Sequence, residues 1–419
     1  MGVKEVPKLR NDCFSMPQGV DWTPVDEALT MLQDRLKTIV KTETISVEFS
    51  DGRILAGPVR SRRSNPPFTN SAVDGYAFKG ALSAGRHCFS LAKGRSAAGA
   101  SFVGAVQATE ALRILTGAAL PEGTDTVVLE EDVLVDGYSL YINGPLRKNS
   151  NVRQEGEDTF EGLELFAIGH RMQPQDIGRL ISVGVSQVTV YCPLRVAIIS
   201  TGSELCGPDT IAQTEQIFDA NRPMLQAILK RWGMDVVDIG IVKDDAALVR
   251  QALNDAAREA DVVITSAGAS AGDEDHVSAS LTAAGNMSLW RIAVKPGRPL
   301  ALGMWNGVPV FGLPGNPVAA FVCTLIFVHP SLMQLAGAGF IVPKYLTLPA
   351  SFSKTKKAGR REYLRARRQG ETIEIFASEG SGRISGLSWA EGLVELPDEA
   401  LEIIPGNPVK YFPYSSFGL

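Results

Sequence analysis

The stretch Asp261–Asp275 (DVVITSAGASAGDED) combines the residue types that bind an anion and a divalent cation. The apolar run that begins at Val262 predicts a buried strand, and the small residues that follow it, including Ser270, allow backbone amides to approach an anion closely. Three acids, among them Asp273 and Asp275, close the loop and could hold a divalent cation. The spacing is not that of a P-loop (GxxxxGK[ST]), so ordinary NTPase chemistry is not the first expectation.

Three further loops with charged or shaping residues also follow predicted strands: STGSEL (200–205) with Glu204, the loop 243–245 with Asp244 and Asp245, and GLPGNP (312–317) with Pro314 and Pro317. The last of these loops leads into a predicted helix whose free amides suit a phosphate. The segment RIAVKPGRP offers cations to an anion through Arg291, Lys295 and Arg298. Carboxylates collected near such a site suit Mg²⁺ rather than a soft metal.

Each of these signals also has an ordinary structural explanation. Glu204 could be an acid in the first turn of a helix, and one of Asp244 and Asp245 is expected to be a helix N-cap. GLPGNP could be only a turn before a proline helix start. Arg291 could lie on a strand and face solvent. The joint placement of these groups at strand ends is what favours a functional site.

The elements that would position these loops alternate between strands and helices from Leu194 onward. Strands are predicted at 195–200, 235–242, 261–265, 289–294 and 308–312, and helices at 223–232, 246–260, near 276–284 and within 317–335. This alternation predicts a doubly wound parallel sheet, on which ligands bind at the carboxyl ends of the strands. An amphipathic helix at 23–37, β-rich sequence at 45–145 and a small β domain beyond Pro343 are predicted around it.

The composition is that of an ordinary globular protein with about two to four domains. The 419 residues are 45% hydrophobic and carry a net charge of −5, which argues against a general nucleic-acid binder. Five scattered cysteines without CxxC spacing favour free thiols in a reducing compartment. We find no signal-peptide core and no apolar run of about 18 residues, so a cytoplasmic protein without a membrane span is expected.

Eight motifs, in order along nearly the whole chain, resemble one protein family. They are NPPFTNSAVDGYA (65–77), RILTGAALPEGTDTVV (113–128), NVRQEGED (151–158), STGSEL, DANRPML (219–225), TSAGASAGDED, KPGRP and GLPGNP. On these motifs the chain resembles the MoeA family of molybdopterin molybdenumtransferases, to which the gephyrin E domain is related. Chance agreement over eight ordered motifs is negligible.

The resemblance implies a multidomain α/β plus β fold, in an elongated homodimer of four-domain subunits. The implied parts are an N-terminal segment packing with the α/β domain (1–35), an elongated linking domain (36–60 with 148–190), a β-rich domain (61–147), a doubly wound MogA-like α/β domain that binds molybdopterin (191–337) and a small C-terminal β-barrel domain (338–419). The α/β part agrees with the alternation of elements described above.

The implied reaction inserts molybdenum from molybdate into adenylylated molybdopterin and releases AMP, with Mg²⁺ as the divalent cation, to form molybdenum cofactor. The active site is expected to be shared between the two subunits. Contact with a molybdopterin adenylyltransferase is a further expectation, whereas nucleic acid and membrane are not expected partners. No covalent nucleophile is required, because positioning and electrostatics suffice for this chemistry.

Matching the motifs residue by residue implies roles for particular side chains. The implied catalytic residues are Asp74, Thr116, Glu204, Asp244, Asp275 and Lys295. The implied substrate-binding residues are Arg153, Asp158, Ser270, Arg291, Arg298, Pro314 and Pro317. The implied metal ligands are Glu204, Asp244 and Asp275, and Asp244 is preferred to Asp245 because of the separation between the acids in the family. Taken alone, Asp74 could also be a plain turn aspartate.

Four positions depart from the pattern of the family. Ala267 replaces a glycine, Ala269 a branched residue, Arg291 a lysine and Ala319 a serine. A Cβ at position 267 would crowd the backbone if that site needs a positive φ. The acids are intact, which favours an active enzyme and leaves its preference between molybdenum and tungsten open.

Two other functions remain open at this point. A molybdopterin adenylyltransferase would need only the α/β domain, so the β-rich segments and the C-terminal β domain speak against it. A non-catalytic scaffold related to gephyrin is less expected, because the sequence shows no linker or fused partner domain.

Overall fold

The structure is a computed structural model of the chain, and it divides into two compact units. It describes residues 22–267, 276–284, 291–297 and 300–419, together with the backbone of 287–289. The first unit comprises the described residues up to 43, residues 52–54 and the chain from 191 onward. The second unit comprises residues 44–51 and 55–190.

The described residues form helices and strands along the whole length from Val25 to Pro413. The helices are α1 (Val25–Arg35), α2 (Pro174–Ser182), α3 (Asn221–Arg231), α4 (Ala246–Glu259), α5 (His276–Ala283), α6 (Pro317–Cys323), α7 (His329–Leu335) and α8 (Ser385–Trp389). The strands up to Tyr191 are β1 (Thr42–Ser46), β2 (Val59–Arg60), β3 (Asn70–Ser71), β4 (Gly75–Phe78), β5 (Leu82–Ser96), β6 (Glu110–Ile114), β7 (Thr126–Leu129), β8 (Val133–Asp136), β9 (Ser139–Leu146), β10 (Val152–Arg153), β11 (Glu164–Phe166) and β12 (Gln187–Tyr191).

The strands of the remaining chain are β13 (Arg195–Thr201), β14 (Leu205–Cys206), β15 (Ile217–Phe218), β16 (Asp235–Val242), β17 (Val262–Ser266), β18 (Met287–Leu289), β19 (Val294–Lys295), β20 (Ala301–Trp305), β21 (Val308–Leu313), β22 (Leu346–Pro349), β23 (Lys354–Lys356), β24 (Arg361–Gln369), β25 (Thr372–Ile375), β26 (Gly392–Leu396), β27 (Leu401–Ile403) and β28 (Pro408–Pro413).

A six-stranded sheet in the order β16-β13-β17-β21-β20-β18 forms the centre of the first unit. The first four strands are parallel, as the sequence predicted. Helix α4 packs on one face, where Val249 and Leu253 meet Ala197 and Val263 in a buried cluster. Helices α1, α3, α6 and α7 cover the other face, so both faces are buried and the doubly wound α/β fold is confirmed.

The edge of this sheet differs from the prediction of a single parallel strand at 289–294. The sheet ends instead with β20, which is antiparallel to β21 and was not predicted, and with β18, which is antiparallel to β20. The apolar end of the predicted strand, Val294, belongs to β19 and pairs with Arg361 of β24. Arg291 lies outside a strand, with φ 67°. The prediction was wrong here because an apolar run does not specify which sheet will pair with it.

The N-terminal helix α1 belongs to the core of the first unit. Pro24 is its N-cap, and Val25, Ala28 and Leu32 are fully buried. Arg361 donates hydrogen bonds of 2.6 and 2.8 Å to the two carboxylate oxygens of Asp26. These contacts fasten α1 to the C-terminal sheet.

The C-terminal part of the first unit forms a six-stranded sheet in which β19, β24, β26, β28 and β22 follow one another and β25 pairs with β24. It shares a hydrophobic core with the α/β part: Phe412 and Phe417 lie in the same buried cluster as Trp232. The indole Nε1 of Trp232 also donates a 2.6 Å hydrogen bond to the Phe417 carbonyl. The β-rich character predicted beyond Pro343 is confirmed.

The second unit contains a six-stranded sheet in the order β7-β4-β6-β5-β9-β8. The pairs β3–β10 and β2–β11 are separate two-stranded sheets. Helix α2 begins with a capping box, in which the side chains of Gln173 and Asp176 bond to each other's backbone amides. The second unit is therefore β-rich, as predicted for 45–145.

The longest apolar helical stretch among the described residues is built from α6 and α7. Helices α6 and α7 continue through a π-helical segment at Thr324–Val328 and form one stretch, Pro317–Leu335. By length and mean hydropathy (1.8) this stretch could cross a membrane, but 94% of it is buried inside the fold. It is a core helix of the first unit. The cysteines at 88, 192, 206 and 323 are free thiols, as predicted.

Candidate active site

A cleft with a volume of about 330 Å³ opens at the carboxyl ends of β13, β17 and β21. Parallel strands bring the loops that follow them to one edge of the sheet, which is where ligands bind in such folds. Glu204, Ala267 and Pro317, from three of the predicted loops, line this cleft. Pro314 lies beside Gly297, in the neighbouring KPG segment.

Asp244 and Glu204 are brought close together through Ser203. The Asp244 carboxylate accepts a 2.8 Å hydrogen bond from the Ser203 backbone amide, and the Ser203 hydroxyl accepts one of 3.1 Å from the Asp244 amide. Ser203 directly precedes Glu204, so the two loops form one acidic surface next to the cleft. Within the described ranges, the Glu204 carboxylate makes no hydrogen bond or ion pair.

The neighbouring acid, Asp245, has a different role. Its carboxylate accepts hydrogen bonds from the amides of Ala247 and Leu248, at 2.9 and 3.0 Å, and so caps α4. The backbone amides of Leu248 and Ala247 hold the pKa of Asp245 below its ordinary value. The expectation that one of the two acids is an N-cap is confirmed, and the carboxylate of Asp244 is the one left for another function.

The backbone at Ala267 adopts the left-handed conformation, with φ 72°. Its amide donates to the Leu313 carbonyl (3.1 Å) and its carbonyl accepts from the Thr265 hydroxyl (3.1 Å), so the conformation is held from both sides. A Cβ added to Gly315 would lie 3.3 Å from the Ala267 Cβ. Position 267 therefore has the positive φ that favours glycine, and the methyl group of Ala267 lies in the cleft.

The KPG lysine does not face the cleft as an isolated cation. Lys295 donates to Glu379 at 2.8 Å and to Glu362 at 3.3 Å, and both glutamates also contact Lys354. Only 15% of the Lys295 side chain is exposed. The sequence predicts that Lys295 is a cation that binds an anion. In the structure two carboxylates already form ion pairs with it.

The start of α6 differs from the predicted cluster of free amides. Pro317 occupies the first helical position and has no N–H, and the Val318 amide donates a 3.1 Å hydrogen bond to the Ser381 carbonyl. The prediction that free amides would receive a phosphate is therefore wrong for Val318. The other explanation of GLPGNP, a turn with a proline helix start, describes this segment better.

Asp74 and Thr116, the implied catalytic residues of the second unit, are in direct contact. The Oδ1 atom of Asp74 accepts hydrogen bonds of 2.6 Å from both the hydroxyl and the amide of Thr116. The Thr116 hydroxyl and amide hold the pKa of Asp74 below its ordinary value, so the carboxylate is stabilised in its charged form. Asp74 thus holds Thr116, which lies 42 positions further along the chain, and its catalytic role stays a prediction.

Two substrate-binding candidates lie on segments near this pair. Arg153 is exposed on β10, directly opposite Asn70 of β3, in the segment that leads to Asp74. Asp158 lies further along and accepts a 3.1 Å hydrogen bond from the Asn65 side-chain amide. The structure thus places Arg153 on the strand that pairs with β3, and gives Asp158 a contact that holds the loop at Asn65.

The remaining sequence-based candidates lie outside the described residues. They are Ser270, Asp273, Asp275 and Arg298, together with the departure at Ala269. Among the described residues, no group of three or more His, Cys, Asp or Glu side chains is arranged to hold a metal ion.

Three family models match successive parts of the chain. They are the MoeA N-terminal region (domain I and II) at residues 23–184, the probable molybdopterin binding domain at 197–334 and the MoeA C-terminal region (domain IV) at 347–414. A molybdopterin molybdenumtransferase of Haemophilus influenzae is 32% identical over 400 residues, which cover 93% of this chain and 98% of that protein. The chain belongs to the MoeA family.

Other members of the MoeA family agree over the same length. A molybdopterin molybdenumtransferase of Staphylococcus aureus is 30% identical, with 92% of this chain and 94% of that protein covered. The crystal structure of the molybdopterin biosynthesis MoeA protein from Pyrococcus horikoshii OT3 matches with a TM-score of 0.83 and 26% identity, over 94% of this chain and 100% of that chain. The resemblance drawn from the eight motifs is confirmed.

Sequence reasoning missed one polar contact that shapes the cleft. The Asn221 side-chain amide donates to the Ser266 hydroxyl at 2.8 Å and to the Gly315 carbonyl at 2.7 Å, so it ties α3 to the ends of β17 and β21. Its Oδ1 atom is buried without a hydrogen-bond partner among the described residues. Asn221 belongs to DANRPML, one of the MoeA motifs, so the motif indicated this position but not the role of its side chain.

Proposed function

We propose that this member of the MoeA family transfers molybdenum from molybdate to adenylylated molybdopterin and releases AMP. The observation that carries the proposal is the pair of loops joined by Ser203, which places Glu204 and Asp244 beside the cleft at the strand ends. The family contributes the reaction type, and this acidic surface is where its chemistry would take place on the chain. An adenylyltransferase would need only the α/β domain, so the matches of the MoeA N-terminal and C-terminal regions at 23–184 and 347–414 favour the molybdenumtransferase.

We assign the adenylylated molybdopterin to the cleft. Its lining offers hydroxyl and amide groups from Thr201, Ser266 and Asn316, which suit the polar edges of a pterin and a nucleotide. The aromatic ring of Phe218 lines the same cleft and is 53% exposed, so it can stack on a flat ring system. Ser270, Arg298 and the two prolines at 314 and 317 stay predictions as further contacts.

Glu204 and Asp244 have the donor chemistry that Mg²⁺ requires. Both are oxygen ligands, and Mg²⁺ usually takes one or two carboxylates and keeps several waters. Ser203 occupies one oxygen of Asp244, which orients the carboxylate and leaves its other oxygen for a ligand. Asp275 is the proposed third acid. Mg²⁺ bound there would act as a Lewis acid on the phosphate oxygens.

The protein side chains would contribute positioning and charge. Lys295 and Arg291 would hold the oxyanions and screen their charge, while Asp74, fixed by Thr116, would present a charged carboxylate to the reacting groups. We assign Arg153 and Asp158 to the same part of the site. These residues act by binding and orienting, because a metal transfer of this kind needs no protein nucleophile.

Asp244 and Asp245 provide a matched pair of variants for testing the function. Asp244→Asn and Asp245→Asn remove the same charge at adjacent positions, and asparagine still caps a helix. With adenylylated molybdopterin, molybdate and Mg²⁺, we expect the Asp244 variant to lose AMP release and cofactor formation and the Asp245 variant to keep both. Equal activities in the two folded variants would remove Asp244 from the site. Adenylylated product formed from ATP and molybdopterin would favour the adenylyltransferase.

We further propose a homodimer in which Asp74 and Thr116 of one subunit complete the site of the other. The test mixes Asp74→Ala and Asp244→Ala subunits, each inactive alone. Under random exchange about half of the dimers are mixed, and each mixed dimer has one intact site of two, so about a quarter of the wild-type activity returns. A site built within one chain has no intact copy in any of these dimers, so the mixture would stay inactive.

We propose three further properties as expectations of the same function. The protein works in the cytoplasm, where its free thiols stay reduced. Its four-domain division follows the boundaries implied by the sequence, with the C-terminal domain beginning near 338. It receives its substrate from a molybdopterin adenylyltransferase through direct contact, which a co-sedimentation measurement with the two purified proteins would detect.

A further inference from the structure

The KPG lysine, Lys295, belongs to a group of four charged side chains with Lys354, Glu362 and Glu379. Glu379 contacts Lys295 at 2.8 Å and also pairs with Lys354. Glu362 contacts the same two lysines more loosely, at 3.3 and 3.4 Å. Two positive and two negative charges therefore balance within the group.

The two glutamates differ in how firmly they are held. Glu362 lies within β24, paired to neighbouring strands, and its side chain is 11% exposed. Glu379 lies in an irregular segment between Ser378 and Gly380, and its side chain is 41% exposed. Both lysine side chains are more buried than Glu379, at 15% and 10% exposed. Glu379 is thus the member that can leave the group by rotating into solvent.

The backbone around Glu379 is anchored independently of its side chain. The Arg365 guanidinium donates to the carbonyls of Ser378 and Gly380, the residues on either side. The Ser381 carbonyl accepts from the Val318 amide at the start of α6. Removal of the Glu379 carboxylate therefore leaves the segment in place beside the lysines.

We propose that Glu379 is a built-in counter-ion which an incoming oxyanion displaces from Lys295 and Lys354. This inference rests on the proposed function, in which Lys295 holds an oxyanion. The oxyanion comes either from molybdate or from the phosphate of the nucleotide, since both offer the same charged oxygens to a lysine. Glu379 acts as a positioning residue: it keeps two buried ammonium groups paired until substrate arrives, and it competes with substrate for them.

The physical reason is the cost of an unpaired buried charge. Within the group, loss of Glu379 would leave two lysines at 10–15% exposure with the single carboxylate of Glu362, and partly unpaired buried charge is costly. Glu379 removes that cost in the empty protein, and an oxyanion must overcome the Glu379 contacts in order to bind. Loss of the carboxylate should therefore tighten oxyanion binding roughly tenfold, since one ionic contact of this kind typically changes affinity by about that factor.

The test is titration calorimetry of the full chain with molybdate and, separately, with AMP. Glu379→Gln and Glu379→Ala should each bind at least one of the two oxyanions roughly tenfold more tightly than the wild type. The oxyanion whose affinity changes identifies the occupant. Glu371→Gln is the matched control: it removes the same charge from a side chain that is 88% exposed and paired with Arg368, and it should leave both affinities unchanged.

Two results would overturn the inference. One is oxyanion affinity that stays the same or falls in both Glu379 variants while their melting temperatures match the wild type. The other needs no variant: saturating molybdate and AMP should each be added to the wild type, and an unchanged NMR signal of the Glu379 carboxyl carbon with both would show that the carboxylate does not leave the two lysines. Wild-type cofactor synthesis is measured in parallel, so that a failure of the proposed function is recognised separately from a failure of the counter-ion.

Discussion

Replacing Ala267 with glycine should stabilise the chain, although it removes a side chain. Ala267 adopts φ 72°, which glycine tolerates and other L residues do not. Its amide and carbonyl are both hydrogen bonded, so the backbone cannot relax towards a negative φ. The strain is therefore present in the folded protein and absent in the unfolded chain.

The expected gain follows from two opposing terms. A left-handed conformation costs an L residue about 1–2 kcal/mol relative to a right-handed one. Glycine adds conformational freedom to the unfolded chain, which costs about 0.4–1 kcal/mol. At the midpoints of these two ranges the net stabilisation of Ala267→Gly is about 0.8 kcal/mol, and for a unit of this size that raises Tm by roughly 2–3 °C.

Thermal and urea unfolding of the full chain measure this change. Ala257→Gly is the control with the same substitution in the last turn of α4, where the backbone is helical, and it should destabilise by about 0.5–1 kcal/mol. The two variants should thus change Tm in opposite directions. A Tm for Ala267→Gly that is unchanged or lower would refute the argument from backbone strain.

Gly315 supplies an independent check of the same geometry. Gly315→Ala would place a Cβ 3.3 Å from the Ala267 Cβ, closer than the usual contact between carbons. The crowding should cost about 1 kcal/mol when Ala267 is present, and most of that cost should vanish in the Ala267→Gly background. A double-mutant cycle without coupling would show that the two groups do not meet.

Three further results are expected. Asp245→Ala should lower Tm because it removes the cap of α4. Asparagine still caps a helix, so Asp245→Asn should show no decrease in Tm in a melting series at low pH. Thr116→Val should raise the pKa of Asp74 towards its ordinary value of 3.8, which a carboxyl-carbon NMR titration measures. The stability contributed by ionised Asp74 disappears as the pH falls through its folded pKa, so the variant should lose that stability at a higher pH than the wild type. Trp232→Phe leaves the buried Phe417 carbonyl unsatisfied and should cost about 1–3 kcal/mol in urea unfolding.

Local patterns in the sequence predicted much of the fold and the position of the cleft. The alternation of strands and helices gave the parallel part of the sheet, because buried strands and amphipathic helices have distinct hydrophobic periods. The strand β16 was predicted at its observed bounds, Asp235–Val242. The cleft lies at the carboxyl ends of the strands, which is a rule of topology that needs only the order of the elements.

What could not be predicted depends on contacts between residues distant in the sequence. The pairing of Val294 with Arg361 joins the KPG segment to the C-terminal sheet, and no local pattern reports such a partner. For the same reason Lys295 could be recognised as a cation but not as one already paired with Glu362 and Glu379. The resemblance to the family preferred Asp244 to Asp245 for the site, but no local pattern showed which of the two acids caps α4; the hydrogen bonds of Asp245 identify it as the cap.

Side-chain cations, and not the start of α6, should determine how this chain binds oxyanions. Pro317 lacks an N–H and the Val318 amide is already bonded to Ser381, so the helix end offers few donors. Lys295→Met would leave Glu362 and Glu379 with a single lysine, and this net negative charge should repel an oxyanion. We therefore expect Lys295→Met to abolish molybdate and AMP binding in calorimetry, and Pro317→Ala, which adds an amide, to leave both within about threefold of the wild type. A larger loss of affinity in Pro317→Ala than in Lys295→Met would show instead that the start of α6 binds the oxyanion.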